Sequence, residues 1–185
     1  MGSTRDGEAP AQEDFSDIEL LERIAEGDGA AFGELAIRLG PMFRRVLFRL
    51  GLSDAEVEYA CQETLIRIWP GSAGFQARAS VSSWAYRIAI NQGISVLRAQ
   101  REQPLGEQMA DPDAEWRWEL GQRAQAVRKA VLSLPVHLRS VIVLREYEDL
   151  TYRAISEILA VPLGTVMSRL HEARARLRRE LASLI

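Results

Sequence analysis

The chain has 185 residues, 47% hydrophobic and 26% charged, with a formal net charge of −3, enough for one good core or two small ones in an ordinary globular protein. No run approaches the ~18 unbroken apolar residues of a membrane span, and the Gly/Asp/Glu-rich stretch Met1 to Gln12 has no signal-peptide core, so a cytoplasmic location is expected. The single cysteine, Cys61, excludes an internal disulfide, and with only His137 and His171 beside it no Cys/His metal cluster or cofactor site is expected.

Charge is unevenly spread. Residues 1–35 hold ten acids and two bases, whereas residues 121–185 hold eleven bases and six acids. Any polyanion is therefore expected to meet the C-terminal part.

Helical periodicity dominates and no run alternates as a strand would. An acidic lead-in, residues 1–14, precedes a first helix capped by Ser16 or Asp17, with Ile18, Leu21 and Ile24 on one face and Gly27 as its stop. A second helix begins near Ala30 and carries Phe32, Leu35 and Leu39. Gly40-Pro41 is expected to interrupt or restart it before Met42, Val46, Leu47 and Leu50. Ser53 caps a third helix through Trp69, with Val57, Cys61, Leu65 and Ile68 inward, and Pro70 to Gly74 breaks it. A fourth runs from about Ser82 to residue 101, with Trp84, Ile88, Ile94 and Leu97 inward.

Residues 102–113 are polar, contain Pro104, Gly106 and Pro112, and look like an interdomain linker. One helix then runs from about Ala114 to Ser133 and another from Pro135 to about Tyr147. Two short-spaced helices follow, Thr151 to Leu159 and Leu163 to about Ala182. The expectation is an all-α chain of two small helical domains, 15–101 and 114–185, joined by a flexible linker.

The last pair has helix-turn-helix spacing. Thr151 caps its first helix, whose inner face is Ile155 and Leu159. Ala154 permits close approach, Ala160 to Pro162 connect, and Val166 and Leu170 anchor the second helix. Thr165, Met167, Ser168, His171, Glu172 and Arg174 are then expected to face outward, where such a helix meets base edges in the major groove. Arg169, Arg174, Arg176, Arg178 and Arg179 supply charge for phosphates. No catalytic set is visible. Cys61, on an apolar face, reads as a buried structural thiol.

Two stretches carry a resemblance. Asp54 to Trp69 includes Gln62-Glu63 and Trp69, and is followed by Phe75 and Trp84-Ala85-Tyr86-Arg87-Ile88-Ala89-Ile90-Asn91. Leu134-Pro135 and Gly164-Thr165-Val166-Met167-Ser168-Arg169-Leu170 lie in the second half. In this order they resemble regions two and four of the extracytoplasmic-function (ECF) group of bacterial RNA polymerase sigma factors, over about residues 15–182.

The resemblance implies that Gln62, Glu63 and Arg67 grip the clamp of the largest polymerase subunit. It implies that Phe75 to Arg98 opens the promoter −10 element, through Arg78, Ser80, Ser82, Ser83, Arg87, Asn91 and Arg98. A strand captured there needs polar contacts and positive charge once its bases are unstacked. The final helix would read the −35 element while the domain's other side sits on the flap of the second-largest subunit.

An anti-sigma factor is the implied regulator, with the protein monomeric when free or 1:1 with that partner and not inserted in a membrane. The sequence departs from the family pattern at Arg78, Ser95, Met167 and Glu172, and the last two fall on base-reading positions. A sigma mimic that titrates an anti-sigma factor, and a plain helix-turn-helix regulator, are the alternatives.

Overall fold

The computed structural model describes residues 15–102 and 122–182. The expected lead-in, nearly all of the linker and the first turns of the helix expected from Ala114 lie outside these residues.

The described residues are helical, without strands. In the N-terminal half, α1 (Asp17–Ala25), α2 (Gly29–Arg49), α3 (Asp54–Gly71) and α4 (Val81–Glu102) pack around one another. Local chemistry sets their starts. Ser16 and Glu19 form a reciprocal capping box at α1, and Ser53 and Glu56 do so at α3. Asp28 accepts from the Ala30 and Ala31 amides at α2. Gly27, at φ +94°, makes the left-handed turn that ends α1.

Gly40-Pro41 does not interrupt α2, which runs unbroken for 21 residues with Pro41 inside it. Proline removes one backbone bond and crowds the carbonyl four residues back. Here that carbonyl belongs to Ile37, whose residue is 80% exposed, so water can serve it. The apolar stripe Leu35, Leu39, Phe43, Val46 and Leu47, on the opposite side, is buried and keeps the helix in register. Pro70 likewise lies within α3, and the break comes after it, as a 3-10 turn over Ser72–Gly74.

The inward faces differ in detail from the periodic reading. In α3, Thr64 is buried and spends its hydroxyl on the Ala60 carbonyl (2.6 Å), while Leu65 is half-buried. In α4, the buried residues are Ala85, Tyr86, Ala89, Ile90 and Leu97. Trp84, Ile88 and Ile94 are half-buried against this core. Trp84 stacks edge-on with Phe75 at 5.4 Å between centroids.

The C-terminal half comprises α5 (Gln122–Ser133), α6 (Val136–Ile142), a π-helical turn (Val143–Tyr147), α7 (Tyr152–Leu159) and α8 (Leu163–Leu181). Its core is Leu134, Leu138, Val141 to Leu144, Ile155, Ile158, Val166, Leu170 and Ala173. Ile158, rather than Leu159, shares the inner face of α7 with Ile155.

The two halves are not held apart. The buried side chains of both join into one hydrophobic cluster, and α4 packs on α7. Arg139 of α6 donates to the Leu50 carbonyl at the end of α2 (2.8 Å) and to the Leu132 and Leu134 carbonyls at the end of α5. Gly51, at φ +93°, permits this approach, since a Cβ there would come within 2.6 Å of Leu132 and 2.7 Å of Arg139.

A helix-interior proline costs about 3 kcal/mol relative to alanine. Pro41→Ala is therefore expected to raise stability by about 1 kcal/mol or more, read as a higher urea midpoint with an unchanged slope.

Candidate nucleic-acid interface

The helix-turn-helix is built as its caps dictate. Thr151 accepts from the Ala154 amide (3.2 Å) and starts α7. Ala160, at φ +51°, ends it in a left-handed turn, and Ser156 closes the turn by donating to the Val161 carbonyl (2.6 Å). Pro162 then starts α8, whose Val166, Leu170 and Ala173 are buried.

This anchoring turns Met167, Ser168, His171, Glu172 and Arg176 outward, with Met167 53% exposed. Thr165 and Arg169 are half-buried, not fully outward. Arg174 is also half-buried and donates twice to Glu146 of the π-helical turn (2.7 and 3.2 Å). That carboxylate holds its pKa above the ordinary guanidinium value and ties α8 to the rest of the half. Arg176 pairs with Glu172 one turn back (2.8 Å). Arg178 and Arg179 are exposed farther along the helix.

The second polar surface lies on α4. Ser80 accepts from the Ser83 amide (3.1 Å), and its hydroxyl meets those of Ser83 (2.8 Å) and Ser82 (3.1 Å). Ser83, Arg87, Asn91 and Arg98 are all exposed, and their spacings of four, four and seven residues put them on one helical face. Arg78 is exposed in the preceding loop. Tyr86, by contrast, is part of the core.

On α3, Gln62 and Arg67 are exposed and Glu63 half-buried. Arg67 lies against the Gln92 side chain of α4, whose carbonyl accepts from it. Between these polar groups stand exposed apolar residues that periodic reading passed over: Tyr59 and Ile66, with Trp69 at the helix end. The signal for them was their offset from the Val57, Cys61, Thr64, Ile68 stripe. Cys61 itself is buried, and loss of solvation raises its thiol pKa, as for a packing residue.

Comparison with known proteins places both halves of the chain in one family. Residues 35–103 match the model of Sigma-70 region 2, and residues 124–177 that of Sigma-70, region 4. The chain is 30% identical to the ECF RNA polymerase sigma-E factor of Haemophilus influenzae, covering 94% of this chain and 99% of that one. The chain belongs to the ECF RNA polymerase sigma factors. It is also 29% identical to the RNA polymerase sigma-H factor of Pseudomonas aeruginosa, over 91% of this chain and 95% of that protein. Among solved structures it resembles CnrH in complex with the cytosolic domain of CnrY (24% identity, TM-score 0.68, covering 90% of this chain and 97% of that chain), a likeness of fold. It also resembles the sigma factor RpoE in complex with the anti-sigma factor NepR from Bartonella quintana (25% identity, TM-score 0.65, 82% and 96% covered). Sigma factors are transcription initiation factors and not enzymes.

The ion pair with Glu172 offsets the charge of Arg176 on the exposed side of α8. Glu172→Ala is expected to tighten binding to random duplex DNA several-fold at low salt. The slope of log affinity against log salt should steepen by about one, as measured by fluorescence anisotropy.

Proposed function

We propose that this sigma factor carries core RNA polymerase to promoters by dividing the work among three surfaces. The reading is carried by one observation: Ser83, Arg87, Asn91 and Arg98 form a single exposed polar face on α4, in a chain that also presents a helix-turn-helix. With Arg78 and the Ser80–Ser82–Ser83 hydroxyls, that face suits a melted −10 strand, since polar groups and guanidinium charge hold unstacked bases and backbone.

The exposed side of α3 docks on the clamp of the largest polymerase subunit. Gln62, Glu63 and Arg67 supply direction there, and Tyr59 and Ile66 supply apolar area. The C-terminal half rests on the flap of the second-largest subunit and reads the −35 element with α8. Thr165, Ser168 and Arg169 contact backbone near the helix start. Met167, His171 and Glu172 face base edges, and Arg174 and Arg176 lie beyond them. Met167 offers only apolar contact, as to a thymine methyl, and Glu172 accepts from a cytosine amine. The −35 preference therefore differs from that of relatives with basic residues at these positions.

An anti-sigma factor controls the protein, as the likeness to RpoE bound to NepR supports. The protein acts in the cytoplasm, on the nucleoid when engaged. No helix among the described residues is long and apolar enough to cross a membrane.

Ile66→Glu places a charge in the docking face without touching the core, because Ile66 is 62% exposed. It is expected to weaken association with core polymerase at least tenfold while the helical circular dichroism spectrum is unchanged. Equal binding by the variant would remove Ile66 from the interface. Selection from a promoter library randomised at −35 is expected to return a sequence differing from the common family motif, and recovery of that motif would refute the assignment of Met167 and Glu172.

A further inference from the structure

Between α2 and α5 the packing leaves a groove of about 720 Å³, within the range of about 300–1,000 Å³ typical of small-ligand sites. Phe48 of α2 and Val57 of α3 line one side, and Val127 and Val131 of α5 line the other. Val57 and Val131 are buried and Phe48 half-buried, but Val127 keeps 39% of its surface exposed, apolar area that no described residue covers.

Arg123, Val127 and Val131 recur at intervals of four, so they share one face of α5, over about 12 Å at 1.5 Å per residue. That face is graded: charged at the start of the helix and aliphatic beyond.

Charge at the groove is one-sided. Arg44, Arg45, Arg49, Arg123 and Arg128 line it against a single acid, Asp54. Two further acids, neither of which lines it, engage some of these arginines. Glu58 pairs with Arg44 (2.6 Å), and Glu148 with Arg45 (3.2 Å) and Arg49. The Arg128 guanidinium lies over the Phe48 ring, 4.5 Å from its centroid. Arg123 is exposed and has no acidic partner among the described residues. Five guanidinium groups thus meet three carboxylates, and the excess is positive.

We propose that this groove binds a free, single-chain fatty carboxylate, its acyl chain along Val127 and Val131 against Phe48 and Val57, and its carboxylate on Arg123. The aliphatic strip calls for a hydrocarbon chain, and the positive excess calls for an anionic head. A guanidinium meets a carboxylate through two parallel N–H donors, which fixes the head in place. A partner protein matches less well, because stable protein contacts bury about 800 Å² on each side and the apolar floor here is a handful of side chains.

A ligand held only by the folded chain raises its thermal midpoint by mass action. Calorimetric titration and thermal unfolding of the full chain with sodium dodecanoate, below micelle formation, test the site. Saturable 1:1 binding and a midpoint raised by several degrees are expected. Arg123→Glu and Val127→Asp, both at exposed positions, should each weaken binding at least tenfold with unchanged helical circular dichroism. Arg178→Glu, the same charge change at an exposed position of α8, should bind as wild type does. Dodecyltrimethylammonium, the same chain with a cationic head, should not bind. Absence of dodecanoate binding, equal binding of the two amphiphiles, or wild-type affinity in Arg123→Glu or Val127→Asp would overturn the proposal. Capture of the protein by phosphatidylglycerol vesicles, abolished by Arg123→Glu, would contradict it too, since the recognised head would then belong to a membrane. So would dodecanoate binding seen only in Trp116→Ala/Trp118→Ala, which would make residues 103–121 the occupant of the groove.

Discussion

A carboxylate removed from water is stable only while its cations remain in reach, and Glu148 draws both of its arginines from the other half of the chain. That requirement acts together with the hydrophobic cluster that the halves share. Around it, Arg139 joins the ends of α2 and α5 through three carbonyls, and Gly51 supplies the clearance. Beside these contacts α4 packs against α7. The two halves are thus held in one body by a shared hydrophobic cluster together with these polar interactions.

The surfaces that remain outside this seam are those to which the proposed function assigns the contacts with promoter and polymerase. The polar face of α4 and the outer residues of α8 are exposed, whereas the aromatic Tyr86, which a stacking role would need in the open, is in the core. The exposed apolar residues of α3 form a separate face, with the composition of a protein contact and not of a nucleic-acid one. Glu172 and Glu146 temper the arginines of α8, so the basic charge of the C-terminal half is less available to duplex DNA than its count suggests.

Helix identity was legible in the sequence because capping residues and period-3.6 stripes act locally. Ser16, Ser53 and Thr151 each cap the helix their spacing indicated. The outward side of α8 was legible in part for the same reason: buried Val166, Leu170 and Ala173 turn Met167, Ser168, His171 and Glu172 out, while Thr165 and Arg174 are half-buried. Pro41 misled because a local rule was overridden by an exposed position and a buried stripe on the opposite side. Tyr59 and Ile66 were missed because their one signal, an offset from the buried stripe of α3, is shared with the polar residues beside them. The Glu148 cluster was not legible at all: its members are about 100 residues apart, and nothing in the spacing of either arginine points to the acid.

The most direct measurement is run-off transcription by purified bacterial core polymerase on fragmented genomic DNA, with and without this protein. Discrete new transcripts, sharing upstream elements at the two expected positions, are the predicted result. No new transcripts from a preparation that binds core polymerase would contradict the account.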